Sequence, residues 1–356
     1  MRELLEKIRT RWQASTKRTK AIVTAVALAL VGTSVAVPLA LANSSGTLPA
    51  AASPGSPSAM PKPAQRAMTL PVRTAPASSG DSPLTGLPGG AGRVLAVKID
   101  NVGPAQYEQS GLNSADIVYA IQVEGGLSRY LAIFDSKHVP SRLGPVRSAR
   151  QTDIPLLAAY GRVGLAYSGA ISGLLPDLAR ANLQNITPQS GLFSHGGTMP
   201  TYISPSSVFA AYPNLAPAKN VGFTFGAQPS GGTPVTGFSE YMPAAGFAFT
   251  ASGNSWLVSV DGHAAETLDQ GRFSTTNVIV QHVSVLPGEF TDYNAAQPAN
   301  EVFSQTTGHG GADFYRDAKV WHGQWTKGTD GSPTQYTVGG RAMPLAPGRT
   351  WVVLVP

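Results

Sequence analysis

Short runs of β-branched and aliphatic residues, separated by turn-forming residues, dominate the chain beyond residue 83. Residues 94–99, 115–123 and 129–134 are three such runs, rich in Val, Ile or Tyr. Each run is too short for a helix of ordinary length and is followed by turn or loop residues. The pattern predicts three strands of a common sheet, within a first domain that spans residues 83–227.

Two other stretches of this first domain have a helical pattern. Asp153 is typical of an N-cap, with Pro155 in the first turn and Gly161 beyond the end. Residues 174–183 form the second stretch, after a loop of small residues. We therefore expect a mixed α/β domain in which helices flank a central sheet.

The second half, residues 237–356, alternates strand-like runs with Gly, Asp and Asn turns and needs no long helix. It predicts a smaller, β-rich C-terminal domain, so that the fold class of the whole chain is α+β. Four tryptophans of this half either line a carbohydrate-binding platform or belong to the core, and the core is favoured in a small β domain: Trp256, Trp321, Trp325 and Trp351.

Residues 1–20 form a basic leader, and residues 21–42 carry no charge and end in the small-x-small pattern that signal peptidase accepts. The uncharged stretch is also long enough to span a bilayer, with the basic leader on the cytoplasmic side. Residues 43–82 are rich in Ala, Pro and Ser, which is typical of a disordered linker. We expect an extracytoplasmic protein, anchored by residues 21–42 or secreted after cleavage near Ala42, and favour the anchor.

The net charge of +6 comes mostly from the leader, because residues beyond Asp81 include 16 basic and 17 acidic side chains. A nearly neutral folded part lacks the electrostatic footprint of a nucleic-acid-binding domain, so we exclude that class of partner. The chain has no cysteine. Disulfides, a cysteine nucleophile and a lipid attached through cysteine are therefore excluded for this sequence.

Residues 142–153 (RLGPVRSARQTD) are the segment that points most directly to ligand binding. Arg147 and Arg150 precede a predicted helix N-terminus, where backbone N–H groups favour an anion, and guanidinium groups suit phosphate or carboxylate. Arg129 and the hydroxyl of Ser148 complete the predicted ligand-binding set. An anionic cell-wall or membrane-derived ligand, such as a phosphate or uronic-type group, is the expected partner.

A second interpretation of these arginines, a structural one, is slightly favoured by the residues alone. The neighbouring strands contain several carboxylates, enough to pair each arginine inside the protein as a buried ion network. Ser148 also fits a capping box, which would make its role local. These carboxylates are Asp100, Asp116, Glu124 and Asp135.

Catalytic signals are weak, and the candidates are Asp100, Asp116, Glu124 and His195. His195 lies in a glycine-containing loop that leaves room for a substrate. The sequence contains neither His-Glu-x-x-His nor Gly-x-Ser-x-Gly, and the P-loop pattern is missing. We predict no metal site and no cofactor.

Several short motifs are distributed along residues 83–351. They are residues 83–86, 97–101, 115–119, 123–126, 144–150, 277–280, 323–327 and 347–351. Together they resemble the YerB-type lipoproteins, a family of Gram-positive cell envelopes built from domains of unknown function. The resemblance spans most of the chain after the linker and implies an envelope location and a two-domain layout, without an established activity. Family members are typically anchored through a lipidated cysteine, which is absent here, and residues 194–195 and 200–201 depart from the family pattern.

Two functions from different classes are consistent with these features. The preferred one is a non-catalytic envelope protein that binds an anionic ligand or a protein partner through the arginine-lined surface. The alternative is a hydrolase or transferase acting on a phosphate-bearing envelope polymer, with arginines stabilising charge and a carboxylate serving as base.

Overall fold

The structure is a computed structural model that describes residues 80–195, 201–293 and 298–356. The predicted leader, the uncharged segment 21–42 and nearly all of the linker lie outside these residues. In the first half, the strands are β1 (Val94–Asp100), β2 (Ile117–Gln122), β3 (Ser128–Asp135), β4 (Val163–Ala166), β5 (Leu183–Ile186), β6 (Phe193–His195), β7 (Thr201–Ile203) and β8 (Thr224–Phe225).

The second half contributes mostly strands. They are β9 (Thr233–Pro234), β10 (Gly237–Met242), β11 (Ala245–Ser252), β12 (Ser255–Val260), β13 (His263–Ala264), β14 (Glu266–Thr267), β15 (Gly271–Arg272), β16 (Ser274–Thr275), β17 (Asn277–His282), β18 (Val285–Asp292), β19 (Ala299–Ser304), β20 (Gly308–Arg316), β21 (Lys319–Lys327), β22 (Gln335–Val338), β23 (Arg341–Ala342), β24 (Pro344–Leu345) and β25 (Thr350–Val355).

The described α-helices are short and belong to the first half. They are α1 (Asp153–Ala158), α2 (Leu175–Arg180) and α3 (Pro205–Ala211). Single 3₁₀ turns occupy Gly103–Tyr107, Leu112–Ser114, Glu124–Gly126, Ser172–Leu174 and Pro188–Ser190.

One 12-stranded sheet contains strands from both halves, in the order β23-β22-β21-β20-β17-β25-β2-β3-β1-β4-β5, with β9 paired to β21. Its central strand, β25, runs parallel to both neighbours: Thr350 pairs with Ile117 of β2 and with Asn277 of β17. All six residues of β25 are buried, as expected for a strand covered on both faces. The first and second halves of the chain therefore share a single hydrogen-bonded ladder.

A smaller sheet, β10-β11-β12-β13 with β16 beside β12, covers one face of the large sheet. Aromatic rings fill the space between them. The rings of Tyr130 and Trp351 meet edge to face at 5.2 Å, and Phe249 lies 6.0 Å from Trp351. Such edge-to-face pairs add to the energy of burial.

The opposite face is covered by α1 and α2. Leu156, Leu157 and Leu178 pack with Ile133 and Leu354 in a second apolar cluster. Alternate residues of each central strand therefore enter different cores, which is the period-2 rule of a strand covered on both sides.

The sequence predicted the central strands well and the helices less well. Strands were expected at 94–99, 115–123 and 129–134, and each is present. The predicted α+β class is confirmed only in its coarse form, a two-domain, sheet-rich chain with a β-rich C-terminal half, because the helices that flank the sheet are few and short. The helix predicted between the Asp153 cap and Gly161 ends at Ala158, and its N-cap is Thr152 instead of Asp153, which is already helical.

The second helical prediction, 174–183, is shortened to Leu175–Arg180, because a 3₁₀ turn precedes it and β5 begins at Leu183. The four tryptophans, by contrast, are buried with at most 4% exposure, which confirms their place in the core. No helix within the described part of the chain is long and apolar enough to cross a bilayer.

A leucine-to-alanine pair tests the central position of β25. Leu354 is fully buried, so Leu354→Ala should lower the free energy of unfolding by about 2–5 kcal/mol through lost burial and a residual cavity. Leu286→Ala is the matched control, since Leu286 is 44% exposed and should change stability by no more than about 0.5 kcal/mol. Urea unfolding measures both, and equal midpoints for the two variants would contradict the assigned position of β25.

Candidate functional site

Charged side chains gather where β1 ends and β3 begins. Lys98 and Asp100 lie on one face of β1, and Arg129 is the antiparallel partner of Asp100 in β3. This is the face on which α1 packs. All three side chains are buried, so each requires a partner of opposite charge or a hydrogen bond.

Residues 142–150, here called the arginine loop, run beside β1 like an additional strand. Asp100 N donates to Pro145 O at 2.9 Å, and Arg147 N donates to Lys98 O at 2.8 Å. Gly144 has a positive φ, and a Cβ atom there would lie 2.5 Å from the Tyr202 ring. Only glycine suits this position, which explains the Gly-Pro that leads the loop.

Arg150 is an internal structural residue. Its Nε lies 2.5 Å from Glu124 Oε1, and its Nη2 donates to Glu124 Oε2 at 2.7 Å. Its Nη1 donates to Ala149 O at 2.9 Å, and the side chain is only 6% exposed. For Arg150 the ion-network interpretation of the sequence therefore describes the geometry, and a ligand would have to displace Glu124.

Lys98 and Asp153 form a completely buried ion pair that connects β1 to α1. Lys98 Nζ lies 2.6 Å from Asp153 Oδ1, and neither side chain is exposed. Burial lowers the pKa of Lys98, while Asp153 opposes that shift. The second oxygen of Asp153 accepts the backbone N–H of Arg150 at 2.8 Å.

The start of α1 is not an open anion site. Asp153 occupies the N–H of Arg150, and Oε1 of Glu301 accepts the N–H of Gln151 at 2.7 Å. Carboxylates of the chain itself, those of Asp153 and Glu301, therefore occupy the N–H groups at which the sequence pattern predicted an external anion. With six residues, α1 also has little dipole to offer.

Glu301, on β19, is a site residue that no sequence motif indicated. Its side chain is fully buried, and Oε2 has no hydrogen-bond partner within the described residues. Burial raises the pKa of Glu301 to about 7, and nearby Arg150 partly opposes this. Gln151 and Glu289 exchange hydrogen bonds at 3.0 and 3.2 Å, so the β18–β19 hairpin is held against the arginine loop.

Arg147 and Arg129 remain incompletely paired. Arg147 Nε lies 3.1 Å from Asp100 Oδ2, yet the Arg147 side chain is 43% exposed. Arg129 is 9% exposed, and its Nε and Nη1 atoms have no hydrogen-bond partner within the described ranges. Burial lowers the pKa of Arg129 to about 10, Arg150 lowers it further, and Asp100 and Glu124 raise it.

The charges of this cluster do not cancel at neutral pH when Glu301 is protonated. Four cations, Lys98, Arg129, Arg147 and Arg150, then face three carboxylates, those of Asp100, Glu124 and Asp153. Ionisation of Glu301 would balance the count. Arg129 is the cation of this cluster that has no carboxylate within ion-pair distance among the described residues, whereas Lys98, Arg147 and Arg150 each have one.

Several predicted site residues lie elsewhere or make no contact. Asp116 precedes β2, at the opposite end from Glu124, so roughly 20 Å of strand separates it from the arginines. His195 is exposed on β6, which is separated from the arginine loop by β7. The Ser148 hydroxyl makes no hydrogen bond within the described residues, so the capping box expected for it is not formed there.

Five cavities among the described residues are lined by side chains other than Arg129, Arg147 and Arg150. One of them, of about 990 Å³, lies at the β21–β22 edge. The guanidinium group of Arg147 is instead partly exposed at the surface. Within the same residues, no group of three or more His, Asp or Glu side chains is arranged to hold a metal ion.

Comparison with known proteins places this architecture in a family. Residues 84–220 match the N-terminal domain, and residues 236–352 the C-terminal domain, of DUF3048, described as a protein of unknown function. The chain belongs to the DUF3048 family. The arginine loop lies within the first matched domain, whereas Glu301 and β25 belong to the second matched region and beyond.

One relative, from Bacillus subtilis (strain 168), is named "Putative lipoprotein YerB". It is 44% identical over 71 residues, which is 20% of this chain and about a fifth (21%) of the length of that relative. The crystal structure of the YerB protein from Bacillus subtilis is similar in fold, with a TM-score of 0.64 and 21% identity over 78% of this chain and 96% of that one. The YerB-type resemblance of the sequence is thereby confirmed.

A double-mutant cycle tests the buried pair under the site. Lys98→Met leaves Asp153 as an unpaired buried charge and should cost about 3–5 kcal/mol of unfolding free energy. Lys98→Met combined with Asp153→Asn should cost clearly less than the sum of the single variants, because no lone charge remains. Urea unfolding measures the coupling, and strict additivity would contradict a direct interaction.

Proposed function

We propose that this protein is an extracytoplasmic, envelope-associated binding protein that holds an anionic cell-wall or membrane-derived ligand on the surface around Arg147. The observation that carries the proposal is the pairing of an exposed guanidinium, Arg147, with a buried and incompletely partnered one, Arg129. An exposed arginine alone is ordinary on a protein surface. A buried arginine with unpaired donors beside it lowers the free energy of unfolding, and ligand binding would explain why it is retained.

Asp100 cannot neutralise both arginines. It is the ion-pair partner of Arg147 and the strand partner of Arg129, and its Oδ1 makes no hydrogen bond in the described part of the chain. Arg129 has no carboxylate within ion-pair distance in the described residues, so an external anion would contact both guanidinium groups at this position. Phosphate and carboxylate groups match the planar donor pair of an arginine.

The open shape of this surface favours a polymeric or surface-borne anion over an enclosed small molecule. The side chain of Arg147 is 43% exposed, although its Nε lies 3.1 Å from Asp100 Oδ2. A repeating anionic polymer or a headgroup layer presents its charges to such a surface without needing enclosure. Binding of this kind is salt-dependent, because exposed charges are screened.

The proposed location rests on the sequence of residues 1–82 and on family membership. A basic leader, an uncharged stretch at 21–42 and a proline-containing linker have the order expected of an exported and tethered domain. The relative named as a lipoprotein supports an envelope location. Because this sequence lacks cysteine, we propose residues 21–42 as the anchor in place of a lipid.

Arg147→Gln should weaken the binding of inorganic pyrophosphate, used as a probe, at least about tenfold at low salt, because a charge-assisted hydrogen bond contributes about 1.5–3 kcal/mol. Arg129→Met should weaken it severalfold without lowering the thermal midpoint, since Nε and Nη1 of Arg129 make no hydrogen bond that would be lost. Titration calorimetry on the full-length chain measures both effects.

Arg341→Gln is the charge-matched control, because Arg341 is exposed on β23 at the far edge of the large sheet. If Arg147→Gln and Arg341→Gln bind pyrophosphate equally well, the proposed surface is wrong. Glucuronate serves as a second probe that distinguishes a carboxylate from a phosphate preference.

The anchor is tested separately by the N-terminus of the membrane-bound protein. We expect intact-mass analysis of the membrane fraction to find a chain that retains residues 21–42. A mature chain beginning at Asn43 would show cleavage and exclude a permanent anchor.

A further inference from the structure

A separate cavity of about 470 Å³ lies at the other end of the central strands, away from the arginine loop. It is lined by residues of segments 82–90, 114–116 and 135–139, together with Arg349. Three motifs that the proposed function does not use meet here, namely residues 83–86, 115–119 and 347–351. Its size is near the lower end of the range for small-molecule sites.

The parallel register of β2 and β25 places the two main side chains of this cavity together. Thr350 pairs with Ile117, and Thr350 N donates to Asp116 O at 3.0 Å. Asp116 and Arg349 each stand one residue before these partners, on adjacent strand ends and on the same side of the sheet. Gly348 N donates to Thr85 O at 2.7 Å, so the 82–90 segment closes over the same corner.

Asp116 has one carboxylate oxygen available. Its side chain is 7% exposed, and Oδ2 accepts the backbone N–H of Asp135 at 2.6 Å. Oδ1 has no hydrogen-bond partner in the described residues, and Asp116 lines the cavity. Burial raises the pKa of Asp116 to about 7; Asp135 raises it as well, whereas the Asp135 N–H and Arg349 lower it.

Two hydrogen bonds fix the position of the Arg349 side chain but do not use all of its N–H donors. Nη1 donates to Asn113 O, and Nη2 donates to Ser274 Oγ at 3.1 Å. A guanidinium group has five N–H donors, so three remain for a ligand. The half-buried position of Arg349, whose pKa burial lowers, strengthens any hydrogen bond it makes to an anion.

The other acid of the cavity is already occupied. Asp135 Oδ2 accepts Gly92 N at 2.7 Å, and Oδ1 accepts Lys137 N at 2.9 Å, which is a local turn arrangement. A divalent cation would therefore find a single free carboxylate oxygen beside a guanidinium group. A simple anion would meet Arg349 but also the carboxyl of Asp116. The cavity best fits a molecule that carries both charges.

We propose that this cavity is a binding site for a small zwitterion, a free α-amino acid, with its ammonium group at Asp116 and its carboxylate at Arg349. Adjacent strands lie about 4.8 Å apart, which suits the close spacing of the two charges in an α-amino acid better than the separated termini of a peptide. Lys137 and His138 are exposed where they line the cavity. The site is independent of the arginine loop, so either one can fail without affecting the other.

Alanine, N-acetylalanine and alaninamide test the site on the full-length wild-type chain by titration calorimetry in non-ionic detergent. Alanine should bind at least about tenfold more tightly than either derivative, since each derivative lacks one charge, and a charge-assisted hydrogen bond is worth about 1.5–3 kcal/mol. Equal binding of all three, or no heat with alanine up to about 10 mM, would overturn the proposal. Tighter binding of alanylalanine than of alanine would overturn the choice of a free amino acid.

Asp116→Asn is nearly isosteric and should weaken alanine binding about tenfold or more, while Asp177→Asn on α2 serves as the charge-matched control with unchanged binding.

Proton release gives a second readout. An ammonium group beside Asp116 favours its ionised form, so wild type should release up to about half a proton per alanine at pH 7, seen as a dependence of the enthalpy on the buffer. Unchanged affinity and unchanged proton release in Asp116→Asn would contradict the assigned role.

Discussion

The insertion of β25 between β2 and β17 is the constraint on which the rest of this structure depends. It converts two sequence regions, each matched by its own family model, into one 12-stranded sheet with two cores. The same register that buries Trp351 and Leu354 on opposite faces also fixes the strand ends, where charged side chains collect. The position of β25 therefore determines both the fold and the strand ends at which the two candidate sites lie.

The two ends of the central strands have different electrostatic character. At the arginine loop, the guanidinium group of Arg147 is 43% exposed, and that of Arg129 is buried with two N–H donors that have no hydrogen-bond partner in the described residues. At the Asp116 end, the carboxyl group of Asp116 and the guanidinium group of Arg349 line a partly open cavity. The proposed anion-binding surface and the proposed amino-acid site are compatible in one protein, because they share no residue.

Local pattern was sufficient to predict the central strands and the core position of the tryptophans. It was insufficient where small residues obscure alternation, as in β10 and β11, whose Ala, Gly and Ser positions carry little hydrophobic signal. The helices are shorter than their capping residues and periodicity predicted, because neighbouring turns and strands limit them. Strand partners more than two hundred residues apart, such as β2 and β25, leave no local trace at all.

The arginine loop was recognised from its residue types, but the state of each arginine required coordinates. Pairing with Glu124, burial of Arg129 and exposure of Arg147 depend on three different segments. Glu301 could not have been predicted, because it lies in a strand that the pattern did not indicate and reaches the loop through tertiary packing. Asp116 was predicted from the sequence as a candidate residue of the arginine site, but it lies at the opposite end of β2 from that site.

A central strand drawn from so far along the chain has a consequence for biogenesis. While the polypeptide emerges, β2 and β3 can pair early, but the free edge of β2 has no neighbour until β25 has been made and delivered. During that interval an apolar strand edge is open to association with other chains. The sequence separation between β2 and β25 is of the kind that slows folding, since the entropy of closing a long loop opposes the pairing.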